Sequence, residues 1–161
     1  MHACVFEIKS IIEDPRNMKP GGVFTAIQIW EMSVIPALLF SSECWFQLKQ
    51  KDLQRLNKLE ETFYHVILKT PRTCPKVALY WFTGGLSMKF KIMIRKLAFL
   101  HHVFHLSEDD LAKEVLEEER RLEIPGLWSS SLEDMKQMNV PISDLTQMNK
   151  IQWKSCVREA V

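Results

Sequence analysis

The sequence has no C-x-x-C pair: its four cysteines, Cys4, Cys44, Cys74 and Cys156, lie far apart. That spacing excludes a zinc knuckle. With no secretory leader recognisable, it predicts reduced thiols in a nuclear or cytoplasmic setting. No apolar run reaches the ~20 residues that a membrane-spanning helix needs. The longest candidate, Val23 to about Cys44, is interrupted by Gln28, Glu31 and Glu43, so no membrane partner is expected. No stretch alternates polar and apolar residues convincingly, so strands are not required. Gly84-Gly85 lacks the downstream Lys-Ser/Thr of a phosphate loop. Glycine and proline are scarce, 5 and 7 residues, and stand as punctuation between other segments.

What is present is helix-forming. At 161 residues and 47% hydrophobic, the chain is long enough for one domain with a sizeable core, or one domain and a small appendage. Ala3 to Asp14 places Val5, Ile8 and Ile12 on one face and stops at Pro15, and Pro20-Gly21-Gly22 reads as a turn. Val23 to Phe40 is apolar almost all the way round, which predicts an interior helix with the others packed around it. Pro36 predicts a kink or a break within it. Lys51 to Lys69 is cleanly amphipathic: Leu53, Leu56, Leu59, Phe63, Val66 and Ile67 form one stripe, opposite Arg55, Lys58, Glu61, His65 and Lys69. Pro75 to Phe82 is a short helix closed by Gly84-Gly85.

Ser87 to Leu106 is long and mostly apolar, with Lys91, Arg95, His102 and His105 along a narrow polar strip and Lys89 and Lys96 at the edge of the apolar surface. Ser107 is the expected cap of the next helix, with Asp110 completing a capping box. Leu111, Val115 and Leu122 give that helix a thin apolar stripe before Pro125-Gly126. Two more helices, Leu127 to Val140 and Gln147 to Val161, flank Pro141. The pattern predicts an all-α helical bundle of about seven or eight helices with no significant sheet. Residues 1–106 would form the bundle and 107–161 an acidic helical appendage packed on it.

The net charge of +1 hides an uneven distribution. Residues 49–105 hold 11 Lys/Arg against Asp52, Glu60 and Glu61, while 106–161 hold 7 Lys/Arg against 12 Asp/Glu. A basic middle can mean a nucleic-acid-facing element, but charge alone favours two solvated surfaces of opposite sign. His101 and His105 have zinc-ligand spacing, but no glutamate follows the first histidine, so solvated or nucleic-acid-facing histidines are expected. The isolated cysteines read as buried thiols, and Trp30, Trp45, Trp81, Trp128 and Trp153 as core rather than stacking platforms. No catalytic residue, metal ligand or cofactor is expected.

Three segments then carry a resemblance. SVIPALLFSSECW is followed by the leucine-striped helix, then by TCPKVALYWFTGGL, then by KLAFLHHVFHLSEDDLAKEVLEEE. In order and spacing they resemble the C-terminal part of a non-LTR (LINE-like) retrotransposon reverse transcriptase. The matching positions are Pro36, Leu38, Leu39, Glu43 and Trp45, then Pro75, Leu79, Tyr80 and Gly84, then Arg95, Leu97, Leu100 and His101. Phe40-Ser41 and Phe82 depart from that pattern.

The resemblance implies a thumb and post-thumb region of a parent RNA-directed DNA polymerase. The palm's paired metal-binding aspartates are not in this stretch, since Asp109-Asp110 opens a helix, so no polymerase activity is expected of the chain. It also implies a weak, backbone-directed grip on a DNA or RNA–DNA primer–template duplex. Arg55, Lys58, Lys69, Lys89, Lys91, Arg95 and Lys96 would be its phosphate contacts. The competing expectation is a helical protein-interaction or structural remnant without nucleic-acid binding. In that case the apolar surface of 88–106 would once have met the missing palm or would drive self-association.

Overall fold

The computed structural model describes residues 22–45 and 48–160. The expected helix Ala3 to Asp14 and the Pro20-Gly21 turn lie outside the described residues. Among the described residues every regular element is helical and there is no strand, so the protein is all-α. The first element is a rod in three pieces: α1 (Gly22–Ile29), a π turn (Trp30–Val34) and α2 (Ile35–Leu38). A 3-10 turn (Ser42–Cys44) follows, then α3 (Gln50–Ile67), α4 (Lys76–Thr83), α5 (Met88–Phe104), α6 (Leu111–Leu122), α7 (Leu127–Gln137), α8 (Ile142–Gln147) and α9 (Lys150–Glu159). Counting the rod once gives eight helices among the described residues.

The break expected at Pro36 takes the form of the π turn just before it. Proline cannot donate to the carbonyl four residues back and its ring crowds that carbonyl. The backbone widens first, with Ile35 N–H donating to the Trp30 carbonyl five residues back, and the helix then resumes through the proline. The rod is not the interior helix that its composition predicts. It buries Ala26, Trp30 and Ile35, with Leu39 just beyond its end, and exposes Val23, Phe24, Ile29, Met32 and Phe40.

The chain divides into two compact units, 1–40 with 50–88 and 41–49 with 89–161. The division falls at the start of α5 rather than after Leu106. In the first unit the Trp30 ring stacks on Phe63 with centroids 4.0 Å apart, beside buried Tyr64, Ile67 and Leu79. A buried carboxylate lies in this unit as well. Glu60 Oε2 accepts from the Tyr80 hydroxyl at 2.9 Å, and its Oε1 lies 3.4 Å from the Tyr64 hydroxyl, which is also 3.4 Å from Glu31. Burial, reinforced by Glu60, pushes both phenols far above the usual tyrosine range, so they stay protonated and donate. Gly84 ends α4 in the left-handed conformation, and a Cβ on Gly85 would run into the Tyr64 hydroxyl.

The second unit has an aliphatic core centred on α5. Met93, Leu97, Leu100 and Val103 pack with Leu116, Leu127, Met135, Leu145, Trp153 and Val157. The apolar surface of α5 is thus covered inside its own unit and is not an exposed patch, because α6 to α9 fold onto it. Trp153 Nε1 donates to the Leu97 carbonyl at 3.1 Å. Asp110, not Ser107, caps α6, accepting from Ala112 N–H at 3.0 Å. Two of the acids that follow are also used locally: Glu119 accepts from Trp128 N–H at the start of α7, and Glu118 pairs with Arg121 at 2.5 Å.

Candidate nucleic-acid interface

The α3 helix has its apolar stripe against the first unit's core, which turns Lys51, Gln54, Arg55, Lys58 and Thr62 outward. Lys51, Arg55 and Lys58 recur at i, i+4 and i+7, so they lie on one exposed stripe with about 6 Å of rise between the first two. Arg55 also meets Asp52 at 3.3 Å on the surface, an exposed pair of small energetic weight. Lys69 follows the helix in a left-handed conformation (φ 51°) and is exposed. Arg72 and Lys76 are exposed on the connection to α4 and at its first residue. Lys76 Nζ lies 2.7 Å from Glu61.

In the second unit the four predicted cations of α5 differ from one another. Lys89 is exposed, while Lys91 and Arg95 are half-buried, and Arg95 reaches Glu43 at 3.9 Å. Lys96 is only 6% exposed and corrects its expected role as a phosphate contact. Its ammonium is 2.5 Å from Asp134 and donates to Ser130 Oγ at 2.6 Å, so both its charge and its donors serve the interior. Of the seven predicted contacts, Arg55, Lys58 and Lys69 belong to the first unit and Lys89, Lys91, Arg95 and Lys96 to the second.

The histidines separate too. His102 and His105 are exposed, but His101 is buried against Trp153. Its Nε2 lies 3.0 Å from the Met148 carbonyl, which only accepts, so that nitrogen carries the proton. Burial lowers the His101 pKa, opposed by that hydrogen bond. Among the described residues no three His, Cys, Asp or Glu side chains converge to hold a metal ion. Cys44 is exposed rather than a buried thiol. No helix among the described residues is long and apolar enough to cross a membrane.

The sequence reading missed Lys51, Arg72 and Lys76, and it misplaced Trp81. Trp30 and Trp153 are core, whereas Trp81 is 78% exposed on α4. Lys51 had a signal in its four-residue offset from Arg55. Trp81 had none, because in so short a helix Val77 and Trp81 lie on one face, Leu79 on the opposite one and Phe82 between them, and the pattern does not say which side is covered.

No protein-family model matches the chain, and no solved structure matches it. Over 107 residues, 62% of its length, it is 34% identical to an RNA-directed RNA polymerase L of Bovine Schmallenberg virus (isolate Bovine/BH80/Germany/2011). The chain spans about 5% of the length of that protein.

Proposed function

We propose that this chain is a non-catalytic portion of a polymerase of the retrotransposon reverse-transcriptase kind, and that its first unit holds the backbone of a nucleic-acid duplex. The observation that carries this reading is the exposed stripe of Lys51, Arg55 and Lys58 on α3, backed by a buried face that fixes its direction. Cations spaced along a rigid helix meet phosphates without reading bases, so the grip is sequence-independent. The similarity to a stretch of a viral RNA-directed RNA polymerase is with a polymerase of another kind and does not bear on the retrotransposon assignment. The non-catalytic part rests on Asp109 and Asp110, which lead into and cap α6 instead of sitting in a strand–turn–strand palm.

A titration of fluorescent duplex DNA with the full chain at graded salt tests this. Neutralising about four phosphates gives a log–log salt slope of roughly −3 to −4, and Arg55→Ala with Lys58→Ala makes the slope shallower by about 1–2. No duplex binding at low salt by protein that circular dichroism shows to be helical would overturn the reading. The alternative, a helical protein-interaction remnant, then gains from the exposed row Leu111, Val115 and Leu122 on α6.

A further inference from the structure

The outward arc of α4 is apolar and uncovered. Val77, Trp81 and Phe82 are 80%, 78% and 69% exposed, while Leu79 is buried and Tyr80 turns inward to Glu60. Val77 and Trp81 lie one turn apart on the same face. The Trp81 and Phe82 rings stand 5.3 Å apart at 75°, so each presents a face to solvent that the other does not block. Large aromatics in water cost free energy that a surface normally avoids, and such a patch marks a contact.

The charge around the patch selects the partner. Among the described residues of this unit, all six cations are exposed: Lys51, Arg55, Lys58, Lys69, Arg72 and Lys76. Of its four acids, Glu60 is buried and Glu31, Asp52 and Glu61 are half-buried. Two of the cations, Arg72 and Lys76, immediately precede the aromatic arc in the chain. A second copy presenting the same face would set cation against cation. A polyanion that carries flat apolar rings satisfies both features at once, and that is a single-stranded nucleic acid with its bases unstacked.

We infer that Trp81 and Phe82 form a stacking platform for unpaired bases, with Arg72 and Lys76 on the adjoining phosphates. The inference shares the nucleic-acid premise of the proposed function but not its duplex grip. Bases in a duplex are already stacked and cannot reach these rings, whereas a single strand can.

The probes are a 20-nucleotide oligothymidylate and a 20-base-pair duplex, each titrated with the full chain. Trp81→Ala with Phe82→Ala is expected to weaken oligothymidylate binding roughly tenfold or more and to change duplex affinity less than about twofold. Trp81→Phe, which keeps a ring, should retain most of the single-strand affinity. Both side chains are solvent-exposed, so the variants leave the core intact, and circular dichroism checks this. Oligothymidylate binding that the double alanine variant does not alter, or no such binding by the wild type, overturns the inference. So does a loss of self-association in sedimentation without loss of oligonucleotide binding, which would make the arc a protein interface. Duplex binding with no effect of Trp81 on single strands refutes the platform and leaves the grip standing. The reverse result refutes the grip alone.

Discussion

Among the described residues, the unit of 22–40 and 50–88 exposes six cations, with its four acids buried, half-buried or paired. The unit of 41–45, 48–49 and 89–160 exposes eight cations and eight acids. The first has acids enough to moderate its surface, but Glu60 and Glu31 serve the tyrosine hydroxyls, and Asp52 and Glu61 face Arg55 and Lys76. Placement, not count, gives the first unit a field of one sign, while the second has the mixed surface of an ordinary soluble helical domain. The interiors differ too: stacked aromatic rings and a buried carboxylate in one, a largely aliphatic cluster with Trp153 and a buried ion pair in the other.

The comparison breaks most easily at that ion pair. Lys96→Met strands Asp134 in the aliphatic core and is expected to destabilise the second unit by about 3–5 kcal/mol, read by urea denaturation. Adding Asp134→Leu should recover most of the loss, because a matched apolar pair replaces the charges. Equal destabilisation by single and double variants would mean that packing, not charge, is at stake.

The corresponding change in the first unit is smaller. Glu60→Ala leaves the Tyr64 and Tyr80 hydroxyls without their shared acceptor and is expected to cost about 2–3 kcal/mol. Glu60→Gln, which keeps an acceptor oxygen, should cost less. If the units unfold separately, each variant moves only its own transition in calorimetry.

The smallest effect is a pH dependence in the second unit. The His101 pKa is lowered in the folded state, so the unfolded chain binds the proton more readily. Stability is therefore full above the ordinary histidine pKa of about 6.5 and falls as pH drops below it. The melting temperature should decline modestly between pH 7.5 and 5, and His101→Gln should flatten that decline. A profile unchanged by the substitution would assign the dependence to other groups.

The sequence made the helices legible because their boundaries are local: Pro71, Gly84, Pro125 and Pro141 all fall between helices. The outward stripe of α3 was legible for the same reason, since Arg55 and Lys58 oppose a leucine row within one helix. Lys96 was not, because its partner Asp134 is 38 positions away on another helix and nothing near Lys96 announces it. His101 failed likewise, its acceptor being the carbonyl of Met148. The positions that carry the reverse-transcriptase resemblance are largely structural here: Leu39, Leu79, Leu97, Leu100 and His101 are buried, and Tyr80 bonds Glu60. Among the predicted cations only Arg95, which is half-buried, is one of them.

The π turn in the rod amounts to one residue inserted into a helix, and it changes how the segment's hydropathy should be parsed. On an unbroken wheel Ile35 falls about 180° from Ala26, and Leu39 about 220°. The extra residue sets the two halves back by about 100°, which brings the Ala26–Trp30 row and the Ile35–Leu39 row towards one side. The segment is apolar on every face, yet each half buries one row only, and the turn brings the two buried rows together. Losing a single codon between Trp30 and Val34 would remove the bulge and leave an unbroken helix with Ile35 and Leu39 still on the Ala26–Trp30 side, so the turn absorbs one residue of length without changing which face is buried.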